Sequence, residues 1–187
     1  MDPMRILLAI SAAVLLQAQG AVIKGTVSTP GGTLTPIDTV GVWDAGRGEI
    51  WIALVPFKLK PAHLVEIQKD STMLAVLGEK SPDSKKWADW CPGAQVRIKI
   101  DAKDLGKGAA GVESYLLWAY GLKEKNCTDN ANYSGDKARE HVKKLVVKTD
   151  AKGGSFELEF SGKTAFDDGL SWTINAKGPV LPSKAEK

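Results

Sequence analysis

The segment that decides the fold is Gln95-Val96-Arg97-Ile98-Lys99-Ile100-Asp101, in which apolar and polar side chains alternate strictly. Successive side chains of a β-strand point to opposite faces, so this pattern predicts a strand with one face in a core and the other in water. The same alternation runs through residues 156–161 and 170–177. By contrast, residues 50–57 and 115–120 are apolar at nearly every position, which predicts central strands that are covered on both faces.

Nine strands are expected outward from this segment, separated by turns rich in glycine and aspartate. Their ranges are 22–29, 37–44, 49–57, 72–77, 94–101, 112–121, 142–149, 154–164 and 169–177. Short connecting helices, between one and three of them, are expected from Pro61, from Ser81 and over residues 135–141. Short strands with tight turns predict an all-β, antiparallel β-sandwich, with a closed β-barrel as the alternative.

The composition is that of an ordinary globular protein, with 187 residues of which 43% are hydrophobic and 25% are charged. This excludes collagen, an intrinsically disordered chain and a small disulfide-dense scaffold. Lys and Arg number 25 against 22 Asp and Glu, and the net charge of +3 is too small to indicate a nucleic-acid partner. The length predicts a single domain over residues 21–181, followed by a disordered tail over residues 182–187.

Residues 1–20 have the pattern of a cleaved signal peptide. Arg5 precedes an apolar run from Ile6 to Leu16, and Ala18-Gln19-Gly20 supplies the small residues that a signal peptidase accepts. A helix needs roughly 20 apolar residues to cross a bilayer, and no segment of the chain approaches that length. We therefore expect a soluble protein that is secreted or periplasmic, without stable membrane insertion and of open oligomeric state.

The only two cysteines, Cys91 and Cys127, are expected to form one disulfide, because exported proteins fold in an oxidising compartment. The bridge closes a loop of about 37 residues, which stabilises the fold by roughly 4 kcal/mol in the chain-entropy description. Asn126 and Asn132 each begin an N-glycosylation sequon, which matters in a eukaryotic secretory route.

Signatures of catalysis, metal binding and cofactor binding are missing from the sequence. His63 and His141 are the only histidines and lie in separate connectors, so we expect solvated surface positions rather than a zinc site or a catalytic triad. Gly106, Gly108 and Gly111 spell G-x-G-x-x-G, but a predicted strand follows where a dinucleotide-binding loop requires a helix. We therefore predict no catalytic residue, no metal and no cofactor, in a protein that is not an enzyme.

Two of the six tryptophans stand apart from the predicted strands. Trp87 and Trp90 lie in a polar segment beside Cys91, at a three-residue spacing that stacks them on one face of a helical turn. With Lys86 and Asp89, they form the candidate site for a protein or glycan surface. The remaining tryptophans are expected to fill the core: Trp43, Trp51, Trp118 and Trp172.

These features together predict an exported binding or interaction module for an unidentified ligand, with glycan or protein recognition as its role. Two alternatives stay open. One is a β-barrel that holds a small apolar ligand. Gly41-Val42-Trp43 resembles the short G-x-W element near the start of lipocalin barrels, which implies such a barrel. The resemblance covers these three residues. The other is a secreted hydrolase, whose carboxylate pair or Ser-His-acid cluster would meet only in the folded chain.

Overall fold

The computed structural model describes residues 21–69, 93–120, 129–150, 153–164 and 169–182. Its strands are β1 (Val22–Thr29), β2 (Gly32–Leu34), β3 (Asp38–Asp44), β4 (Glu49–Val55), β5 (Gly93–Ile100), β6 (Val112–Tyr120), β7 (Asp129–Ser134), β8 (Val142–Asp150), β9 (Gly153–Lys163) and β10 (Ser171–Pro182). Two α-helices, α1 (Pro61–Lys69) and α2 (Gly135–His141), and a 3₁₀ segment (Ala102–Gly111) connect them. Neither helix of this described part has the length and apolar character that spanning a bilayer requires.

All ten strands belong to one hydrogen-bonded sheet, in which β10 is the branch point. One edge of β10 pairs with β9, which in turn pairs with β8. Along its other edge, β10 pairs first with β1 and then with β3, from which the sheet continues in the order β4-β5-β6-β7. The contact of β10 with β3 is parallel, and the other strand pairs are antiparallel.

The sheet curls into an open half-barrel, whose concave inner face carries the main core. The alternation of β5 decides its orientation: Val96, Ile98 and Ile100 are buried and Lys99 is exposed, although Gln95 on the predicted water side is buried as well. The largest fully buried side chains include Tyr115, Phe156, Phe160, Leu34 and Ile50. The prediction of an all-β protein with short connecting helices is therefore confirmed.

The outer face of β3 and β4 carries a second core, which α1 covers. Leu64 and Ile67, at a three-residue helical spacing, pack against the branched side chains of β3 and β4. Gln68 Nε2 donates a hydrogen bond of 3.0 Å to the carbonyl oxygen of Pro182, which ties α1 to the end of β10. Of the two strands predicted to be covered on both faces, β4 is buried at every position from Ile50 to Val55, whereas β6 leaves Leu116 and Trp118 half-buried on its outer side.

The edge strands β7 and β8 do not pair with each other, and helical segments lie between them. The helix α2 joins these strands directly and buries Ala138 in the main core. The 3₁₀ segment packs against β8 at Gly108, which has a φ of 58°. A Cβ atom at this position would lie 2.8 Å from the carbonyl oxygen of Leu145, so both the backbone conformation and the close contact require glycine.

The structure also contains two strands that the sequence does not predict. The sequence of β7, Asp-Asn-Ala-Asn-Tyr-Ser, has low strand propensity, yet Ala131 and Tyr133 pack in the core while Asn130 and Asn132 are exposed. The other strand, β2, has only three residues. The predicted strand at 72–77, the predicted helix from Ser81 and tail residues 183–187 lie outside the described residues.

Candidate functional site

The sequence-predicted binding residues all lie outside the described residues: Lys86, Trp87, Asp89 and Trp90. The two cysteines of the predicted disulfide, Cys91 and Cys127, lie outside them as well. Their roles stay predictions. Of the four tryptophans expected in the core, Trp43 and Trp172 are buried in the main core, as expected.

Trp51 and Trp118 lie on the convex outer face of the sheet, where Trp51 is buried and Trp118 packs, half-buried, against the second core. Trp51 of β4 is opposite Arg97 of β5, and Trp118 of β6 is opposite Gln95, one side-chain row away. Since alternate residues of neighbouring strands share a face, Trp51, Arg97 and Trp118 all project away from the main core. We call these three residues the Trp-Arg face; the sequence places Arg97 on the water side of β5 but gives no sign that the tryptophans meet it.

The side chains of the Trp-Arg face stack closely. The ring centroids of Trp51 and Trp118 are 6.1 Å apart, with 12° between the ring planes. Arg97 Cζ lies 5.3 Å from the Trp51 centroid and 5.6 Å from the Trp118 centroid, within the range of a cation–π interaction. Trp51 is only 6% exposed, whereas Arg97 and Trp118 are half-buried. Within the described chain, the Arg97 guanidinium makes no ion pair or hydrogen bond.

Charged groups surround this stack on the same face. Glu49, two residues before Trp51, has a buried Oε2 atom without a hydrogen-bond partner among the described residues. Lys99, two residues after Arg97, forms an ion pair of 3.4 Å with Glu113. A cleft of about 270 Å³ lies next to this pair, between the turn at residues 45–48 and the start of the 3₁₀ segment.

A second polar feature lies at the rim of the half-barrel, around His141 at the end of α2. The Tyr115 hydroxyl and His141 Nδ1 are hydrogen-bonded at 2.5 Å. The imidazole also packs edge-on against Tyr133 and Trp172, with ring centroids 4.9 Å and 5.4 Å away. The expected solvated position is therefore wrong for His141, because core aromatic rings from three strands converge on this helix end.

The environment of this pair keeps both groups uncharged near neutral pH. Burial raises the pKa of the Tyr115 hydroxyl far above its usual range. Burial also lowers the pKa of His141, and the positive charges of Lys137 and Lys143 lower it further, against the opposing effect of Glu140. With both groups neutral, the tautomer of His141 decides which of them donates: the Tyr115 hydroxyl donates when the imidazole proton is on Nε2, and Nδ1 donates when the proton is on Nδ1.

A cleft of about 400 Å³ opens beside His141 and Trp172. Hydroxyl groups from three strands line it, together with the Lys163 ammonium: Thr26, Ser161, Ser171 and Thr173. Gly162 lies beneath both rings, and a Cβ atom there would be 2.6 Å from Trp172 Cζ2 and 2.8 Å from His141 Cδ2. No carboxylate among the described residues lines this cleft.

The described part of the chain contains no group of three or more His, Cys, Asp or Glu residues that could hold a metal ion. Comparison of the sequence with protein-family models returns no match, and neither the curated proteins nor the solved structures contain a match to this chain.

Proposed function

We propose that this protein is an exported binding module that recognises an extracellular polymer, a glycan in particular, through the Trp-Arg face. The observation that carries this proposal is the Arg97 guanidinium, which is stacked on two indole rings and has no acidic partner among the described residues. Tryptophan and arginine are the residue types that contribute most binding energy at protein interfaces, because they combine a large apolar area with directional polar groups. The adjoining cleft beside Lys99 and Glu113 extends the surface for a long ligand.

A hydrolase is less well supported by the geometry around His141. A triad histidine needs a carboxylate on one ring nitrogen, which orients the imidazole and stabilises the imidazolium that forms during the reaction. In this protein, the Tyr115 hydroxyl occupies that position on Nδ1. A protonated tyrosine carries no charge, so it stabilises an imidazolium much less than a carboxylate does. A binding role is therefore the better proposal.

A carrier of small apolar ligands is also less well supported. Such a carrier needs an interior cavity, but the described inner face is filled by aromatic and branched side chains, with Tyr115, Phe156 and Phe160 all at most 1% exposed. We favour an incomplete barrel over a sandwich as the description of the fold, because a single curled sheet supplies the residues of the main core.

Export remains part of the proposal, together with the predicted disulfide, whose two cysteines flank strands at one end of the sheet in the sequence. Gly93 pairs with Tyr120, and Asp129 pairs with Ala119, so β5 and β7 begin at the same end of the sheet with β6 between them. Two inter-strand spacings amount to about 10 Å. Cys91 and Cys127 each precede one of these starts by two residues in the sequence, and both lie outside the described residues, so their disulfide stays a prediction.

The proposed function is tested with the mature protein on immobilised polysaccharides, both neutral and acidic. We expect the wild type to be retained on at least one polymer and Trp118→Ala to lose this retention, because the substitution removes the half-buried indole ring of the Trp-Arg face. Lys148→Ala, an exposed substitution on β8, is the matched control and should behave like the wild type. Retention on no polymer, or equal retention of Trp118→Ala, would contradict the proposal.

A further inference from the structure

We propose that Arg97 is an oxyanion-binding site, which takes one carboxylate, sulfate or phosphate group of the ligand through the N–H edge of its guanidinium. This inference deepens the proposed function, on which its biological role rests, by naming the chemical group that the Trp-Arg face recognises. Its physical basis is a cation that is fixed in place but whose hydrogen-bond donors have no partner among the described residues.

The two indole rings fix the guanidinium without consuming those donors. Cation–π contacts use the flat face of the guanidinium or its charge, whereas its five N–H groups lie in its plane and point outward. Arg97 Cζ is within 5.6 Å of both ring centroids, and the side chain is half-buried between strands that are paired on either side. A side chain held in this way loses less conformational entropy when it binds a ligand than a free surface arginine does.

The planar fork of donors matches one class of ligand group. Two parallel N–H groups bind the two oxygens of a carboxylate, or two oxygens of a sulfate or phosphate, more strongly than neutral acceptors. The neighbouring cation, Lys99, is already paired with Glu113, so it competes little for the anion. Arg97 is therefore the cation of this face that we expect to carry the specificity.

Glu49 is the charged neighbour that opposes binding. It lies diagonally across from Arg97 in the strand register, yet the two side chains form no ion pair within 4.0 Å. Its carboxylate repels an incoming anion and would compete with it for the guanidinium. Removing the negative charge of Glu49 should therefore tighten anion binding, which provides a second variant with an effect opposite to that of Arg97 substitutions.

The test is a titration of the mature protein with sodium sulfate, phosphate or acetate at constant ionic strength, adjusted with sodium chloride. Binding is followed through tryptophan fluorescence and through the ¹⁵N–¹H resonance of Arg97 Nε. We expect a saturable shift of that resonance with at least one of the three anions. Arg97→Gln should weaken binding at least about tenfold, Arg97→Lys should retain part of it, and Glu49→Gln should tighten it about threefold or more.

Lys148→Gln removes a distant surface charge and should leave the titration unchanged. The absence of a saturable shift with all three anions would overturn the inference, as would equal binding by Arg97→Gln when its amide spectrum shows the native fold. Oligomers of a uronic acid and of a sulfated sugar then distinguish the source of the group. Displacement of the bound anion by an oligomer at lower concentration supports a glycan ligand. Binding of free ions alone would retain the oxyanion site but contradict the proposed function.

Discussion

Gly162 is the position where a single methyl group should disturb the rim of the half-barrel. The surrounding rings leave no room for a side chain, since a Cβ atom would lie 2.6 Å from Trp172 Cζ2 and 2.8 Å from His141 Cδ2. Both distances are shorter than real Cβ contacts, and Trp172 is only 2% exposed, so the indole has little freedom to move. We predict that Gly162→Ala displaces Trp172 and His141 and strains the surrounding core.

Overpacking of this kind costs about 1 to 3 kcal/mol. Alanine in a strand gains about 0.5 to 1 kcal/mol over glycine through the smaller entropy of the unfolded chain, which offsets part of the cost. A net loss of about 0.5 to 2 kcal/mol is expected, and it should lower the urea midpoint by about 0.25 to 1 M at a slope of about 2 kcal/mol/M. The assay is equilibrium urea unfolding followed by tryptophan fluorescence.

Gly106→Ala is the matched control for this experiment. It makes the same chemical change at a position where a Cβ atom meets nothing within 4 Å, so we expect a change within about 0.5 kcal/mol. If Gly162→Ala is no less stable than Gly106→Ala, the close packing of the glycine under the two rings is refuted.

Three further predictions concern hydrogen bonds and charge. Tyr115→Phe removes the hydroxyl that bonds His141 and should destabilise the fold by about 1 kcal/mol in urea unfolding, whereas an unchanged midpoint would mean that this bond adds nothing. Burial lowers the pKa of His141 below the value of 6.5 expected for the unfolded chain, so the free energy of unfolding should fall as the pH falls from about 6.5 to the folded pKa and then level off. His141→Gln should lack this pH dependence of stability. The same pH dependence in the variant would assign it to another group. Hydrogen bonds and charge from Lys144 and Lys177 lower the pKa of Glu157 to about 2. The ionised Glu157 carboxylate should therefore stabilise the fold fully above about pH 4.5, and this stabilisation should be lost as the pH falls through about 2. A titration of the Glu157 carboxyl by NMR with a midpoint near pH 4.5 would contradict this.

The strands of the half-barrel were predictable where one face meets a core. Apolar and polar residues alternate along β5 and along the first part of β10, and the structure buries the apolar set in both. The end of β10 was not predictable from this pattern, because Gly178 and Pro179 normally interrupt a strand. The strand continues because a glycine fits against Phe156, where a Cβ atom would be 3.0 Å from Cε1, and because Val180 and Leu181 then pair with β3.

The candidate site was much less predictable, because its residues meet only through tertiary structure. Trp51, Arg97 and Trp118 lie on three strands, and the register of those strands decides that they share a face. The alternation of apolar and polar residues around Arg97 predicts only that its side chain points outward, and it does not predict which side chains of the neighbouring strands it meets. His141 shows the same limit: the sequence predicts its helix, but its contact with Tyr115 depends on how α2 closes the gap between β7 and β8.

Recognition of an acidic polymer by the Trp-Arg face is tested by comparing the wild type with Arg97→Gln on an immobilised acidic polysaccharide and on a neutral one, at matched ionic strength. If the Trp-Arg face recognises anionic groups of a polymer, the wild type should be retained on the acidic matrix, Arg97→Gln should elute without delay, and the neutral matrix should bind both variants equally. Equal retention of the two variants on the acidic matrix would contradict the account.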